Sequence, residues 1–215
     1  TARISVTENN LQEFLGNPVF TTEELYKRRM PGVVLGLAWT AYGGDTLYIE
    51  ANAVAGKGGG FKQTGQLGKV MQESSEIAYS YVRSILSDHK KYRNFFSSHF
   101  VHLHVPAGAT PKDGPSAGIT MALALHSLAT NTPVREGIAM TGELTLTGKV
   151  LPIGGIREKT IAARRVGINE LIVPSANKKD YEELPSYLRE GMKVHYVDYF
   201  EDVLKVAYDK KAAGE

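Results

Sequence analysis

Ser116 and Lys159 are the two residues of this chain whose surroundings best suit covalent chemistry. Ser116 lies in Pro111-Lys112-Asp113-Gly114-Pro115-Ser116-Ala117-Gly118, where a tight loop passes into an apolar helical run. Proline has no N–H to lose and fits the first helical position, so Pro115 is predicted to open the helix with Gly114 as its cap. Ser116 then falls in the first turn, where main-chain N–H groups lack helical acceptors and carry the positive end of the dipole. A hydroxyl held there has donors beside it for an oxyanion. The competing reading is a capping serine, but Ser116 follows the proline instead of preceding it, the wrong place for a cap.

Lys159 sits on a predicted helix from about Gly155 to Arg165. At about 100° per residue it shares an arc with Ile156, Ala163 and Val166, while Arg157, Glu158, Arg164 and Arg165 lie on the other side. A lysine on an apolar face either snorkels its ammonium outward or buries it. Burial lowers the amine pKa by stripping hydration from the charged form, and the nearby helix start disfavours a cation as well. A serine at a dry helix start and a neutral lysine together meet the needs of a Ser–Lys dyad. The rival is a Ser–His–Asp arrangement using His104 and Asp113, which leaves Lys159 unexplained. His102 and His104 share one strand face as a His-x-His pair but lack an obvious third metal ligand. His126 is ten residues along the helix from Ser116, about 15 Å away, too far to be its base.

The elements that must position these groups read as strands and helices in turn. Glu8–Leu15 and Thr22–Arg29 are short helix candidates in an N-terminal connector, 1–30, which Pro31-Gly32 closes. Gly32–Thr40 and Asp45–Val54 are strands around Ala41-Tyr42-Gly43-Gly44, a hairpin signature. Gly56-Lys57-Gly58-Gly59-Gly60 is a flexible loop; a phosphate loop would need glycine at Ala51 and serine or threonine at Gly58, so nucleotide hydrolysis is excluded there. Leu67–Leu86 has helical spacing, Phe100–Val105 is a strand, and Ile119–Ala129 is a helix apolar nearly all round, hence buried. Strands at Ile138–Met140, Glu143–Leu146, Val150–Ile153, Leu171–Pro174 and Val194–Val197 alternate with helices at 155–165, 177–183 and 201–208. That order predicts an α/β or α+β layered domain with some parallel pairing. Trp39 and Glu50, on the first two strands, are candidates to border a groove.

With 215 residues, 42% hydrophobic, the chain can bury one full core. A net charge of +2 gives no electrostatic case for nucleic acid, and no apolar run spans a bilayer. The absence of cysteine rules out thiol catalysis, disulfides and cysteine-bound zinc. The chain opens on Thr1, which suggests a piece of something longer.

Pro111–Gly118, with Thr141-Gly142-Glu143 and Leu151-Pro152-Ile153-Gly154-Gly155-Ile156-Arg157-Glu158-Lys159, resembles the proteolytic domain of the Lon ATP-dependent proteases. The similarity runs from Pro31-Gly32-Val33-Val34 and Leu37-Ala38-Trp39-Thr40 to Pro174 and Asn177-Lys178-Lys179, and the 43 residues from Ser116 to Lys159 match the family spacing. The Lys-Asp-Gly-Pro-Ser-Ala-Gly string is similar to the soluble A-type. The resemblance implies the α+β form, a Lon-type, ribosomal-protein-like fold over 31–215 with sheets packed against several helices, and an endopeptidase with Ser116 as nucleophile and Lys159 as base. It implies Thr141 as the hydroxyl that orients the lysine amine, against a plain strand-end threonine. Ala117, with Ser116, would supply oxyanion N–H groups, and Asp113 would either switch the base off or only shape its loop. It further implies an upstream ATPase module using ATP and Mg, no cofactor in this domain, homo-hexameric rings, and unfolded or damaged proteins as substrates. No membrane or nucleic acid is needed by this domain. The bacterial cytoplasm and the mitochondrial matrix both suit the family, and the short loop at 56–60 favours the bacterial side. A non-catalytic Lon-like module, or an RNA-binding domain of the related ribosomal-protein fold, is the alternative; the presence of both Ser116 and Lys159 argues against it.

Overall fold

The computed structural model describes residues 4–7, 9–16, 28–40, 43–56, 58–106 and 111–209. Helix α1 (Leu11–Leu15) answers the first connector candidate. The second, Thr22–Arg29, lies outside the described residues except for Arg28 and Arg29, which are not helical. Arg29 Nε donates to the Val134 carbonyl at 3.1 Å and Gly32 N–H to Ser127 Oγ at 3.0 Å.

Strands β1 (Val33–Thr40) and β2 (Gly43–Ala55) form the expected antiparallel hairpin, paired from Val33↔Glu50 to Thr40↔Gly43; Ala41 and Tyr42 of its turn lie outside the described residues. A strand absent from the sequence reading, β3 (Gly60–Thr64), follows the glycine run as an edge. Its anchor is Phe61, stacked on Tyr79 at 4.4 Å in helix α2 (Lys69–Ser87). One apolar side chain after four glycines leaves little periodic signal. The one-turn helix α3 (Phe95–Ser98) and β4 (His99–His104) follow. Then come α4 (Gly118–Thr130), β5 (Ile138–Met140), and a small ribbon of β6 (Glu143–Leu144) with β7 (Val150–Leu151). Both ribbon strands are shorter than the spacing predicts. The chain closes with α5 (Ile156–Arg165), β8 (Glu170–Pro174), α6 (Lys178–Glu182), α7 (Ser186–Arg189), β9 (Lys193–Val197) and α8 (Phe200–Ala207).

The main sheet has the order β3-β4-β2-β1-β5-β8-β9. It is antiparallel across β4, β2 and β1 and parallel across β1, β5, β8 and β9. Alternate side chains point to opposite faces, and both faces are covered. Val34, Ile49, Met140 and Ile172 meet α2, α4 and α8, whereas Leu35, Leu37, Ala139 and Leu171 meet α5 and α6. The α+β reading therefore holds, as a seven-stranded mixed sheet between two helical layers together with the two-stranded ribbon. α4 is buried on nearly every face, as its composition requires.

Candidate active site

The candidate residues converge at the carboxyl end of β5, between the start of α4 on one face of the sheet and α5 on the other. The carboxyl ends of parallel strands are where such sheets open onto ligand crevices. Thr141, the residue after β5, is fully buried and its N–H bonds the Ile172 carbonyl of β8 at 3.1 Å. Gly142 then ties this segment to α4 in both directions. Its N–H donates to the Ser116 carbonyl at 2.8 Å, and its carbonyl accepts Ile119 N–H at 3.1 Å.

Helix α4 begins at Gly118, not at Pro115, and Ser116 stands in the turn ahead of it. The reason is a competition for acceptors. The Ser116 carbonyl takes Gly142 N–H and also Thr141 Oγ1, the latter at 3.1 Å, and so leaves the helical ladder. The Pro115 carbonyl takes Gly118 N–H at 3.1 Å and Ser74 Oγ of α2 at 3.4 Å. Gly118 is required where the helix starts, because a Cβ there would lie 2.7 Å from the Leu144 nitrogen. Among the described residues, the Ser116 hydroxyl and the N–H groups of Ser116 and Ala117 have no hydrogen-bond partner. Ser116 is half-buried and Ala117 buried.

Lys159 is 2% exposed, so its amine does not snorkel out of the apolar face of α5. The helix opens after Gly155 in the left-handed region, and Lys159 N–H closes its first turn onto the Gly155 carbonyl at 2.9 Å. The start of β2 presses against the same turn: a Cβ on Gly44 would sit 1.8 Å from the Glu158 carbonyl oxygen. Lys159 Nζ donates to Thr141 Oγ1 at 3.0 Å. No carboxylate pairs with it among the described residues. Burial without a counter-charge pushes the amine down to about 8. About a quarter of it is then neutral at pH 7.5, against roughly one part in a thousand for an ordinary lysine.

A threonine hydroxyl has one proton to give. Thr141 gives that proton to the Ser116 carbonyl, so toward Lys159 it acts only as an acceptor. One amine N–H is thereby committed, and the lone pair of the neutral nitrogen lies off that bond. Two hydrogen bonds thus connect the amine to the main chain of Ser116. Nζ bonds Thr141 Oγ1 here and not Ser116 Oγ; contacts of this kind commonly close only around a bound substrate.

Asp113 faces another partner. Its Oδ1 accepts Met71 N–H at 3.0 Å and Gly114 N–H at 2.8 Å, so an exposed carboxylate on the Ser116 loop caps α2. The Gly114 N–H, then that of Met71, hold the carboxyl below its ordinary range. Lys112 pairs with Leu67 beside it, and a Cβ on Gly68 would come within 2.3 Å of the carboxyl carbon. The loop is therefore clamped by α2 on one side and by Thr141-Gly142 on the other. Ser74 belongs to this clamp and escaped the sequence reading. Its signal was a polar residue on the buried face of an amphipathic helix, at 4% exposure.

The remaining candidates lie apart. His102 Nε2 and His104 Nδ1 share the Thr64 hydroxyl at 2.8 and 2.7 Å, and neither bonds Asp113 or Ser116 among the described residues. The described residues hold no cluster of three metal-ligating side chains. His126 bonds Tyr208 at 2.8 Å, and burial pushes it down to about 4. Trp39 is 60% exposed, so it is not a core residue, and its ring lies against Gly154 and Gly155 where α5 begins. Glu50 pairs across the sheet with His104.

Comparison with known proteins gives the family of the chain. A family model described as the Lon protease (S16) C-terminal proteolytic domain matches residues 5–210. Lon protease 1 of Syntrophotalea carbinolica is 58% identical over 208 residues, covering 97% of this chain and 25% of that protein. Lon protease 2 of Hydrogenovibrio crunogenus is 60% identical over 200 residues, covering 93% and 23%. The mitochondrial Lon protease homolog of Homo sapiens is 49% identical over 218 residues, covering 98% and 23%. The chain spans about a quarter of the length of these relatives. It belongs to the Lon protease (S16) C-terminal proteolytic domain family.

Proposed function

We propose that this domain hydrolyses peptide bonds through a Ser116–Lys159 dyad and an acyl-enzyme. Neutral Lys159 Nζ takes the Ser116 proton as Oγ adds to the scissile carbonyl carbon. The carbonyl oxygen becomes an oxyanion received by the N–H groups of Ser116 and Ala117. The ammonium passes its proton to the amide nitrogen, the C–N bond breaks, and the new amine departs. A water then gives a proton to Nζ as it attacks the ester, and the proton returns to Oγ as the acid leaves. Asp113 holds the loop that carries the nucleophile. The observation that carries the reading is a buried amine whose partner is a hydroxyl and not a carboxylate.

In this reading residues 1–30 connect to an ATPase module that uses ATP and Mg, the protomers form six-membered rings, and the substrates are unfolded or damaged proteins. What supports it is the match to proteins about four times as long that carry the Lon name. Relatives come from bacteria and from mitochondria; the bacterial ones reach 60% identity and the mitochondrial ones 53%. In this reading the compartment is the bacterial cytoplasm, with the mitochondrial matrix as the second candidate. Among the described residues no helix is long and apolar enough to cross a membrane. Labelling with a fluorophosphonate or a peptidyl boronate tests the chemistry. Covalent attachment at Ser116, absent in Ser116→Ala and much slowed in Lys159→Met, is expected. Attachment that survives Lys159→Met at full rate would point to another base.

A further inference from the structure

The Ser116 carbonyl has both its acceptor positions filled from one side, by Gly142 N–H at 2.8 Å and Thr141 Oγ1 at 3.1 Å. A trans peptide is planar, with its C=O and the next N–H pointing in opposite directions. Fixing the Ser116 carbonyl therefore fixes Ala117 N–H, which points away from Thr141 and has no partner among the described residues. We propose that Thr141 is a positioning residue for the oxyanion donor at Ala117, in addition to holding the Lys159 amine. This rests on the protease reading above and adds a second duty to the same hydroxyl. One proton and one lone pair of a single oxygen then align the base and the electrophilic site together. A displacement of β5 relative to α4 would spoil both at once.

The helix context explains why a second donor is needed. Ala117 is the N-cap of α4 and the first helical bond runs from Met121 N–H to the Ala117 carbonyl, so the Ser116 carbonyl receives no donor from the helix itself. Without Thr141 the carbonyl keeps Gly142 alone and regains freedom to turn toward the helix. Ala117 N–H would rotate with it, since the two share one rigid plane.

The test separates the two duties by removing the lysine first. Binding of a peptidyl boronate, whose tetrahedral adduct places an oxygen at the oxyanion position, is measured for Lys159→Met and for Lys159→Met/Thr141→Val. The double variant is expected to bind at least roughly tenfold more weakly, a fraction of what loss of a whole oxyanion donor costs. Lys159→Met/Thr141→Ser, which keeps the hydroxyl, should stay within about threefold of the single variant. Equal binding by the single variant and the valine double variant would overturn the inference while leaving the dyad intact. A measurement on the unsubstituted chain guards against variants that fail to fold. The Ala117 amide proton should move downfield in an NMR spectrum on adduct formation, and an unmoved resonance with Ser116 labelled would also overturn the inference. Absence of any Ser116 adduct on the unsubstituted chain is a different result, which overturns the protease reading itself.

Discussion

Replacing Lys159 by methionine separates the cost of the buried amine from its use. In the folded chain the amine titrates near 8, against 10.5 when solvated. The unfolded chain therefore binds more protons than the folded one between those values, and stability must rise with pH through that window. Below pH 8 the full penalty applies. It amounts to about 3 kcal/mol at pH 7 and falls to about 1 kcal/mol at pH 9.5. Methionine fills a similar volume without the charge, so Lys159→Met should be the more stable protein at neutral pH while losing peptidase activity. The offset between the two also contains the lost bond to Thr141, worth about 1 kcal/mol. The pH dependence of the offset does not contain it. Urea unfolding of both proteins at pH 6, 7, 8 and 9.5 is the assay, and their stability difference should shrink by about 2 kcal/mol between pH 7 and 9.5. A difference that stays constant across that range would show that the amine keeps an ordinary affinity for its proton, and the base assignment would lose its footing.

Two further outcomes follow from the same structure. Thr120 Oγ1 is buried without a partner, because the Ser116 carbonyl it would normally bond is already filled by Gly142 and Thr141; Thr120→Val should stabilise the fold by about 1 kcal/mol in denaturant titration and leave peptide cleavage unchanged. Asp113→Ala removes the cap of α2, so its thermal midpoint should fall while Asp113→Asn retains most of it. Because the native carboxyl titrates below its ordinary range, the charge-dependent part of the stability gap between wild type and Asp113→Ala should be full above the unfolded carboxylate pKa and be lost as pH falls through the lowered one, leaving what a neutral acceptor provides.

Much of the site was legible because its chemistry breaks ordinary patterns. Lys159 stood out as a charge on an apolar arc, and a fully buried side chain is where the fold puts it. The buried character of α4 and the hairpin of β1 and β2 were equally plain, since both follow from apolar spacing alone. The helix start was misread because local signals at Pro115 compete with donors from Thr141 and Gly142, residues distant in sequence. Ser74 and the capping of α2 by Asp113 depend on the same kind of long-range meeting, which periodicity does not encode. Strand β3 was lost for another reason: at an edge it is held by main-chain pairing to β4 and one aromatic stack, neither of which leaves a pattern. The order of the seven strands likewise comes from tertiary packing.

The central claim is an amine that is substantially uncharged at neutral pH beside a nucleophilic alcohol. Titration of the Lys159 side chain by NMR, with selectively labelled lysine and Lys159→Met to assign the signal, reads that quantity directly. A midpoint near 8 is the predicted result. A midpoint at the ordinary lysine value, with the chain folded and cleaving peptide, would contradict the account.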